Sequence, residues 1–247
     1  MNIVCIMQAR TGSTRLPGKV LRKICGKTVL EHDINRLKKS NTINIIVVAT
    51  TTLDQDDIIV EIAREASVTC FRGSQDDVLS RYYYAAKENK ADVVIRVTSD
   101  CPLIDPQIID SMVRKFIELR NKENIDYLSN KIKMTYPRGL DVEIFTFEAL
   151  ERCFNEGCKP YEREHVTPYI YLNPDKFSFV NYENNNDYSR YRWTLDTEED
   201  LKLIEIIYNN LYNEKSFFYF EDILKFVLDN PEISKINEDV RQKELGE

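Results

Sequence analysis

Residue types that bind phosphate are concentrated near the amino terminus, in the segment Gln8–Leu21, QARTGSTRLPGKVL. The segment directly follows the apolar run Ile3–Met7, as a loop follows a strand. Arginine grips two phosphate oxygens in one plane, lysine acts as a movable point charge, and glycine lets the backbone approach a ligand closely. These types are present as Arg10, Arg15, Lys19, Gly12 and Gly18, with Ser13 and Thr14 as hydroxyl donors. The segment therefore predicts a loop that binds a polyphosphate.

The spacing in this loop excludes two common nucleotide motifs. Five residues separate Gly12 from Gly18, and Val20 stands where a P-loop has its magnesium-binding hydroxyl. The glycine spacing and Pro17 also exclude a dinucleotide-binding turn. The formal net charge of −7 argues against general affinity for nucleic acid or an anionic membrane, so the cations of the loop are a local feature.

Two aspartates, far apart in the sequence, are candidates for a divalent cation. Asp100 follows the apolar stretch of RVTSDCPL, and Asp196 lies in WTLDTEED. Thr197 and Asp200 form a capping-box pattern, which accounts for part of the second acidic cluster but does not require Asp196. Carboxylate oxygens are the ligands that Mg²⁺ prefers. The sequence therefore predicts that Asp100 and Asp196 hold Mg²⁺ against phosphate oxygens, although Asp100 alone can also be read as a turn former.

The elements that must position these residues alternate between strands and helices. Strands are predicted at 2–7, 43–50, 68–72 and 92–98, and helices at 28–39, 54–66, 76–89 and 105–121. Nearly continuous apolar strands indicate a parallel sheet covered on both faces. The prediction is a doubly wound α/β fold, whose ligands bind at the carboxyl ends of the strands.

Beyond residue 126 the pattern changes. Short extended pieces are predicted at 126–129, 140–145, 177–182 and 191–195, with helices at 146–154, 162–172, 197–212 and 220–228. Without a linker in the sequence, we predict one domain over residues 1–247 that carries an inserted arm at about 129–190.

The composition is that of an ordinary soluble globular protein, with 43% hydrophobic and 30% charged residues among 247. Six cysteines without C-x-x-C spacing and two histidines argue against a disulfide framework or a zinc site. The sequence shows neither a signal-peptide pattern nor an apolar run of the roughly 20 residues that a membrane helix needs. A cytoplasmic protein is expected.

The three chemical segments together resemble the CTP-dependent sugar cytidylyltransferases, which include the CMP-KDO and CMP-sialic acid synthetases. The shared pattern is Ala9-Arg10-x-Gly12-Ser13-x-x-Leu16-Pro17-x-Lys19, then Asp100-x-Pro102, then Leu195-Asp196-Thr197-x-Glu199-Asp200. The segments YPRGLDVE, from Tyr136, and EREHVTPY, from Glu162, are similar to the spore-coat polysaccharide (SpsF-like) branch. The similarity extends over essentially the whole chain.

This resemblance implies a Rossmann-like nucleotidyltransferase, usually dimeric, that moves CMP from CTP to a sugar acceptor and releases pyrophosphate. It implies that Arg10, Ser13, Arg15 and Lys19 contact the triphosphate and that Asp100 and Asp196 hold Mg²⁺, with Arg10, Lys19 and both aspartates as the catalytic set. Backbone groups near 7–9 and around 72–77 are implied to contact the nucleoside. The remaining nucleotide-binding residues that the resemblance implies are Gln8, Ala9, Gly12, Arg72, Ser74, Asp76 and Arg81. An alternative interpretation makes the segment around Ser74 simply a helix start.

The acceptor site is predicted from Arg138, Asp141, Glu143 and His165. Arg138 can receive a carboxylate or phosphate, and Asp141 and Glu143 lie on one face of a predicted strand, where they can accept hydroxyl protons. His165 can line the same cleft or act as a base. Alternatively, the strand is a surface strand whose charges face a dimer partner, and His165 is structural. Two other functions stay open: a GT-A glycosyltransferase that uses a nucleotide sugar, and a non-catalytic nucleotide-binding module.

Overall fold

A seven-stranded sheet forms the centre of the protein, whose computed structural model describes residues 1–213 and 215–242. The strand order is β5-β4-β1-β6-β8-β7-β9, and a separate pair is formed by β2 and β3. The strands are β1 (Ile3–Gln8), β2 (Lys23–Ile24), β3 (Lys27–Thr28), β4 (Ile45–Thr51), β5 (Thr69–Gly73), β6 (Val93–Thr98), β7 (Tyr127–Ser129), β8 (Glu143–Thr146) and β9 (Phe179–Asn181). Strand β8 pairs antiparallel with β6 and β7, and the other neighbours in the sheet are parallel. The predicted, mostly parallel α/β fold is therefore confirmed.

Helices cover both faces of the sheet. They are α1 (Val29–Leu37), α2 (Asp57–Glu65), α3 (Val78–Glu88), α4 (Pro106–Glu123), α5 (Phe147–Glu156), α6 (Pro160–His165), α7 (Pro168–Tyr171), α8 (Glu198–Leu211) and α9 (Phe220–Asp229). Strand β1 shows how the two cores arise: Cys5 and Met7 pack into one cluster with α1 and α4, whereas Val4 and Ile6 pack into a second cluster with α3 and α5. Side chains alternate between the faces of a strand, so a strand covered on both sides is apolar throughout.

The carboxyl-terminal half differs from the prediction in three places. The predicted helix 162–172 is interrupted after His165, where Val166 has φ 72° and Pro168 begins α7. A proline restricts the preceding residue and lacks the amide that would continue a helix. The predicted strand 140–145 begins only at Glu143, and residues 191–195 form a single bridge, between Arg138 and Arg192, instead of a strand.

The segment predicted as an inserted arm, residues 129–190, contributes to the main sheet. It contains β8 and β9, which pair with β7 and extend the sheet beyond β6. All six cysteines are free thiols. Among the described helices, none is long and apolar enough to cross a membrane.

Candidate active site

A cleft of about 590 Å³ opens at the carboxyl ends of β1 and β6, next to the amino-terminal loop. This is the edge at which the parallel strands of such a sheet place their ligands. Eleven of the residues predicted to form the site line the cleft: Gln8, Ala9, Arg10, Ser13, Arg15, Lys19, Asp76, Arg81, Asp100, His165 and Asp196. The structure therefore brings the three chemical segments of the sequence into one cavity.

Lys19 lies between the two aspartates. Its Nζ is 2.8 Å from Oδ2 of Asp100 and 2.8 Å from Oδ1 of Asp196, so two acids 96 positions apart face the same point. Gly18 has a left-handed backbone (φ 66°), which lets the chain turn into the short 3-10 helix that begins at Lys19. The turn is closed by a hydrogen bond from the Gly18 amide to the Thr11 carbonyl, at 3.0 Å.

Backbone contacts hold the two aspartates next to each other. The Leu195 amide donates to the Asp100 carbonyl at 2.8 Å, and the Thr194 hydroxyl donates to the same oxygen at 3.0 Å. These bonds replace the predicted strand as the feature that aligns the chain before Asp196 with the end of β6. Both bonds end on the peptide carbonyl of Asp100, so the alignment does not depend on the charges of the two aspartates.

Asp196 is surrounded by cations. Its Oδ2 is 2.8 Å from Nη2 of Arg15 and 2.9 Å from Nη2 of Arg192. Arg192 also pairs with buried Asp200, from Nε to Oδ1 at 2.9 Å. Asp200 accepts, through Oδ2, the amide of Asp196 at 2.9 Å. The capping residue predicted for α8 thus also orients the candidate metal ligand.

We define the charge cluster of the cleft as Arg15, Lys19, Arg192, Asp100, Asp196 and Asp200. It contains three cations and three carboxylates, so it is neutral overall. Arg192 and Asp200 were not predicted as site residues. Asp200 was marked in the sequence only as a capping residue and by the shared family pattern, and Arg192 only by its position four residues before Asp196. Their side-chain contacts depend on the tertiary fold.

The protonation of the cluster is set by competing effects. Burial raises the pKa of Asp100, but the Lys19 ammonium and hydrogen bonds from Lys19 and Thr98 outweigh it, so this pKa lies well below its usual range. Burial lowers the pKa of Lys19, but the negative charges and hydrogen bonds of Asp100 and Asp196 raise it by more. The pKa of Lys19 therefore lies above its usual value. At neutral pH the cleft therefore holds an ammonium between two carboxylates.

The residues predicted for the nucleoside separate into two groups. Arg81 and Asp76 line the cleft, together with Gln8 and Ala9. Arg72 is directed elsewhere: it donates to the carbonyls of Thr51 and Leu53 at 2.9 and 3.0 Å and pairs with Asp57. Two further predicted contacts, Gly12 and Ser74, are absent from the residues lining the cleft, and the Ser74 hydroxyl accepts the Asp77 amide at 3.1 Å.

Only one of the four predicted acceptor residues, His165, lines the cleft. Glu143 is 1% exposed and accepts hydrogen bonds from Arg96, Lys131, Tyr127 and Thr167. Arg138 lines a smaller cavity beside Arg192, with Nη2 3.1 Å from the sulfur of Met134. Asp141 contacts the Gly139 amide at 3.4 Å, and its burial raises its pKa.

Two charged residues of α6 that were not among the predicted acceptor residues also line the cleft. Arg163 and Glu164 lie in the cleft beside His165. Arg163 pairs with Asp77, with Nε 3.0 Å from Oδ1, and this contact ties α6 to the start of α3. Val166 has φ 72° and ψ −54°, and the Thr167 amide donates to the His165 carbonyl at 2.9 Å. This strained three-residue turn fixes His165 at the cleft.

Comparison with known proteins identifies the family. A sequence model described as "Cytidylyltransferase" matches residues 4–244. The chain belongs to the cytidylyltransferase family. It is 31% identical over 214 residues to the spore coat polysaccharide biosynthesis protein SpsF of Bacillus subtilis, covering 84% of this chain and 86% of the relative. It is 28% identical over 186 residues to the 3-deoxy-manno-octulosonate cytidylyltransferase of Chlamydia trachomatis serovar A, covering 71% and 70%.

A solved structure agrees with this assignment. A cytidylyltransferase from Leptospira borgpetersenii serovar Hardjo-bovis superimposes with a TM-score of 0.90 and 38% sequence identity, covering 99% of this chain and 100% of that chain. The predicted resemblance and the predicted enzyme class, a CTP-dependent nucleotidyltransferase, are therefore confirmed. A glycosyltransferase that consumes a nucleotide sugar does not fit this family.

Proposed function

We propose that this cytidylyltransferase transfers CMP from CTP to a hydroxyl of a sugar or sugar-acid acceptor, with Mg²⁺ as cofactor and pyrophosphate as the second product. One observation carries the proposal: a single cationic point, Nζ of Lys19, is 2.8 Å from both Asp100 and Asp196 in the cleft that the arginines of the loop also enter. The role in surface polysaccharide biosynthesis, the cytoplasmic location and a homodimeric state belong to the same proposal.

The residues present fit Mg²⁺. Asp100 and Asp196 direct one carboxylate oxygen each to a common point that already accommodates a positive charge. Among the described residues no group of three or more His, Cys, Asp or Glu side chains is arranged to hold a metal ion. Mg²⁺ is typically held by one or two carboxylates together with water and substrate phosphates, so two aspartates are a sufficient protein contribution. The bound ion would neutralise charge on the triphosphate.

Lys19 and Arg15 are the phosphate-binding groups of the proposal. Both cations contact aspartates in the charge cluster, at 2.8 Å, and both line the cleft. Asp100 and Asp196 would hold the divalent cation, and the phosphate oxygens would be the partners of Lys19 and Arg15. Arg10 and Ser13 are the other proposed donors to the phosphates.

Positioning and cation placement account for the proposed chemistry. An acceptor hydroxyl attacks the α-phosphorus in line with the departing pyrophosphate, and negative charge spreads over the equatorial oxygens and the leaving group. Lys19, Arg10 and Arg15 stabilise that charge in a partly closed cleft. No covalent intermediate with the protein is required.

His165 is the proposed base for the acceptor hydroxyl. Burial lowers the pKa of His165, and Arg96 and Lys131 add to this effect, although Glu164 and Glu143 oppose it. The imidazole is therefore neutral at pH 7 and can accept the proton. The named activity of the Chlamydia relative, on 3-deoxy-manno-octulosonate, supports an acidic sugar as the acceptor class.

The test is pyrophosphate release by the purified protein with CTP, Mg²⁺ and a panel of acidic sugars and sugar phosphates. We expect release with CTP that depends on Mg²⁺ and is lost in Asp196→Asn, with wild-type circular dichroism as the folding control. Absence of release across the panel would count against the proposal. Nucleotide binding that needs no Mg²⁺ and is unaffected by Asp196→Asn would point to a non-catalytic module.

A further inference from the structure

A second cavity, of about 190 Å³, carries a concentration of positive charge outside the cleft. Three of its lining residues are arginines, Arg138, Arg190 and Arg192, and the single carboxylate among the described lining residues is Glu238. None of these four side chains lines the cleft. Because the formal net charge of the chain is −7, this group of arginines is a local feature that calls for a physical reason.

The backbone holds two of these arginines side by side. Arg138 and Arg192 are partners in an isolated parallel bridge, which is closed by hydrogen bonds from the Arg138 amide to the Tyr191 carbonyl at 3.0 Å and from the Trp193 amide to the Arg138 carbonyl at 2.7 Å. Chain segments paired in this way run about 4.8 Å apart, and both side chains line the same cavity. Like charges at this spacing repel each other, so the arrangement favours a bound anion.

Gly139 fixes this bridge. It has φ 103°, and a Cβ added there would lie 2.5 Å from the carbonyl carbon of Trp193 and 2.6 Å from the amide nitrogen of Thr194. Glycine adopts this backbone conformation without steric cost and permits so close an approach between two chain segments. The main chain therefore holds Arg138 beside Arg192 whatever the charges of their side chains.

The two arginines differ in their counter-charges. Arg192 is paired with two aspartates of the charge cluster. Arg138 forms no ion pair with a described residue, and its Nη2 lies 3.1 Å from the sulfur of Met134, which is a weak acceptor. Asp141 interacts with Arg138 electrostatically, but burial raises the pKa of Asp141 and its carboxylate does not line the cavity. Arg138 is therefore available to an anion.

The size and the donors of the cavity define the class of anion. A volume of about 190 Å³ equals that of about six water molecules, and it is below the roughly 300 Å³ at which sites for drug-sized ligands begin. Guanidinium groups grip two oxygens of a phosphate in one plane. Ser189 and Ser234 add hydroxyl groups to the lining. One phosphate group fits these features, whereas a nucleotide is too large.

We propose that this second cavity binds a phosphate group and that Arg138 is its principal ligand. The site is separate from the cleft, and the inference does not depend on the proposed function. Free orthophosphate and a phosphate carried by a larger molecule share the same chemistry, so both are used as probes.

Trp193 provides a reporter for the cavity. It is the single tryptophan of the chain, and it lines this cavity but not the cleft. Its fluorescence is recorded while orthophosphate or glycerol phosphate is added to the full chain. Chloride at equal ionic strength is the blank, because salt alone screens surface charges. The Tm of each ligand-free variant is the folding control.

We expect a saturable change in fluorescence with orthophosphate in the wild-type protein. Arg138→Met should weaken binding about 10- to 100-fold, the loss that follows from one unmade hydrogen bond between charged groups. Arg138→Lys keeps the charge without the planar fork and should lie between the two. Glu238→Gln removes the carboxylate of the lining and should strengthen binding about 2- to 5-fold. Arg114→Met, the matched control, removes an exposed arginine that lines neither cavity and should leave binding unchanged.

Arg10→Met decides between the two cavities, because Arg10 lines the cleft. An unchanged response in this variant supports the second cavity, whereas a lost response would mean that phosphate binds in the cleft and would overturn the proposal. The proposal also fails if the wild-type protein shows no saturable response, or if Arg138→Met and Arg114→Met lose affinity equally. Glycerol phosphate that binds as tightly as orthophosphate would identify a phosphate on a larger molecule, and weaker binding would identify the free ion; both agree with the site. No CTP is present, so failure here leaves the proposed function untouched.

Discussion

Lys19 occupies the point at which a divalent cation is proposed to bind, so its removal should make that point available. The perturbation is Lys19→Met, which keeps most of the aliphatic stem and removes the ammonium. In the wild-type protein an incoming cation must displace two contacts of 2.8 Å, one to Asp100 and one to Asp196. In the variant Oδ2 of Asp100 and Oδ1 of Asp196 lose this competitor, while Oδ2 of Asp196 stays paired with Arg15 and Arg192.

The magnitude follows from the burial of the contacts. Side-chain exposures are 13% for Lys19, 24% for Asp100 and 9% for Asp196, so the pairs are partly screened by solvent. Hydrogen bonds to charged groups contribute about 1.5–3 kcal/mol each, and rehydration of the released ammonium returns part of this. We take a net cost of about 2 kcal/mol, which corresponds to roughly 30-fold in affinity.

The assay is Mn²⁺ binding to nucleotide-free protein, with free Mn²⁺ measured by electron paramagnetic resonance. Lys19→Met should bind Mn²⁺ about 30-fold more tightly than wild type, while its affinity for CTP falls because a phosphate contact is lost. The matched control is Arg22→Met, which removes an exposed cation paired with Glu198 at 2.8 Å outside the charge cluster. The reasoning is refuted if Lys19→Met binds Mn²⁺ no more tightly than Arg22→Met does.

Three further predictions concern the surroundings of the cleft. The rate of CTP-dependent pyrophosphate release should fall as the pH drops below about 6.5, since His165 has a lowered pKa and must be neutral; His165→Gln should be slower and lack this acidic limb in a pH–rate profile. Asp200→Asn, measured by urea unfolding, should lose about 2–3 kcal/mol because it removes the counter-charge of Arg192. Glu143→Gln should lose about 3–5 kcal/mol in the same assay, since Arg96 is left buried beside a neutral amide; a loss below 1 kcal/mol would contradict the role of this pair.

The cleft was predictable because parallel strands deliver their carboxyl ends to one edge. The loop after β1 and Asp100 after β6 meet there because β1 and β6 are neighbours, with Gln8 opposite Thr98 in the register. Alternating apolar strands and amphipathic helices were enough to predict that arrangement. Asp196 arrives by a different route, through hydrogen bonds from the Leu195 amide and the Thr194 hydroxyl to the Asp100 carbonyl that no local pattern encodes.

The predicted acceptor residues were less reliable because a charged side chain among them, Glu143, forms an ion pair with a residue of a neighbouring strand. Glu143 lies directly opposite Arg96 in the antiparallel pair of β6 and β8. That pairing depends on which strand becomes the neighbour of β6, and the sequence contains no signal for it. The turn at Val166 was also missed, since a β-branched residue with positive φ is rare and is held by tertiary contacts such as Thr167 to Glu143.

The two ends of the cleft differ in how their cations are paired. At the β6 end Lys19 has two carboxylate partners, so the charge cluster is neutral and has no vacant cation for a phosphate. At the β5 end Nε and Nη1 of buried Arg81 have no hydrogen-bond partner among the described residues. A divalent cation alone would have to expel Lys19, and a polyphosphate alone would have to part Lys19 from its aspartates. The two together would exchange partners with the cluster. Nucleotide and cation should therefore each raise the affinity for the other by the same factor, as linkage requires.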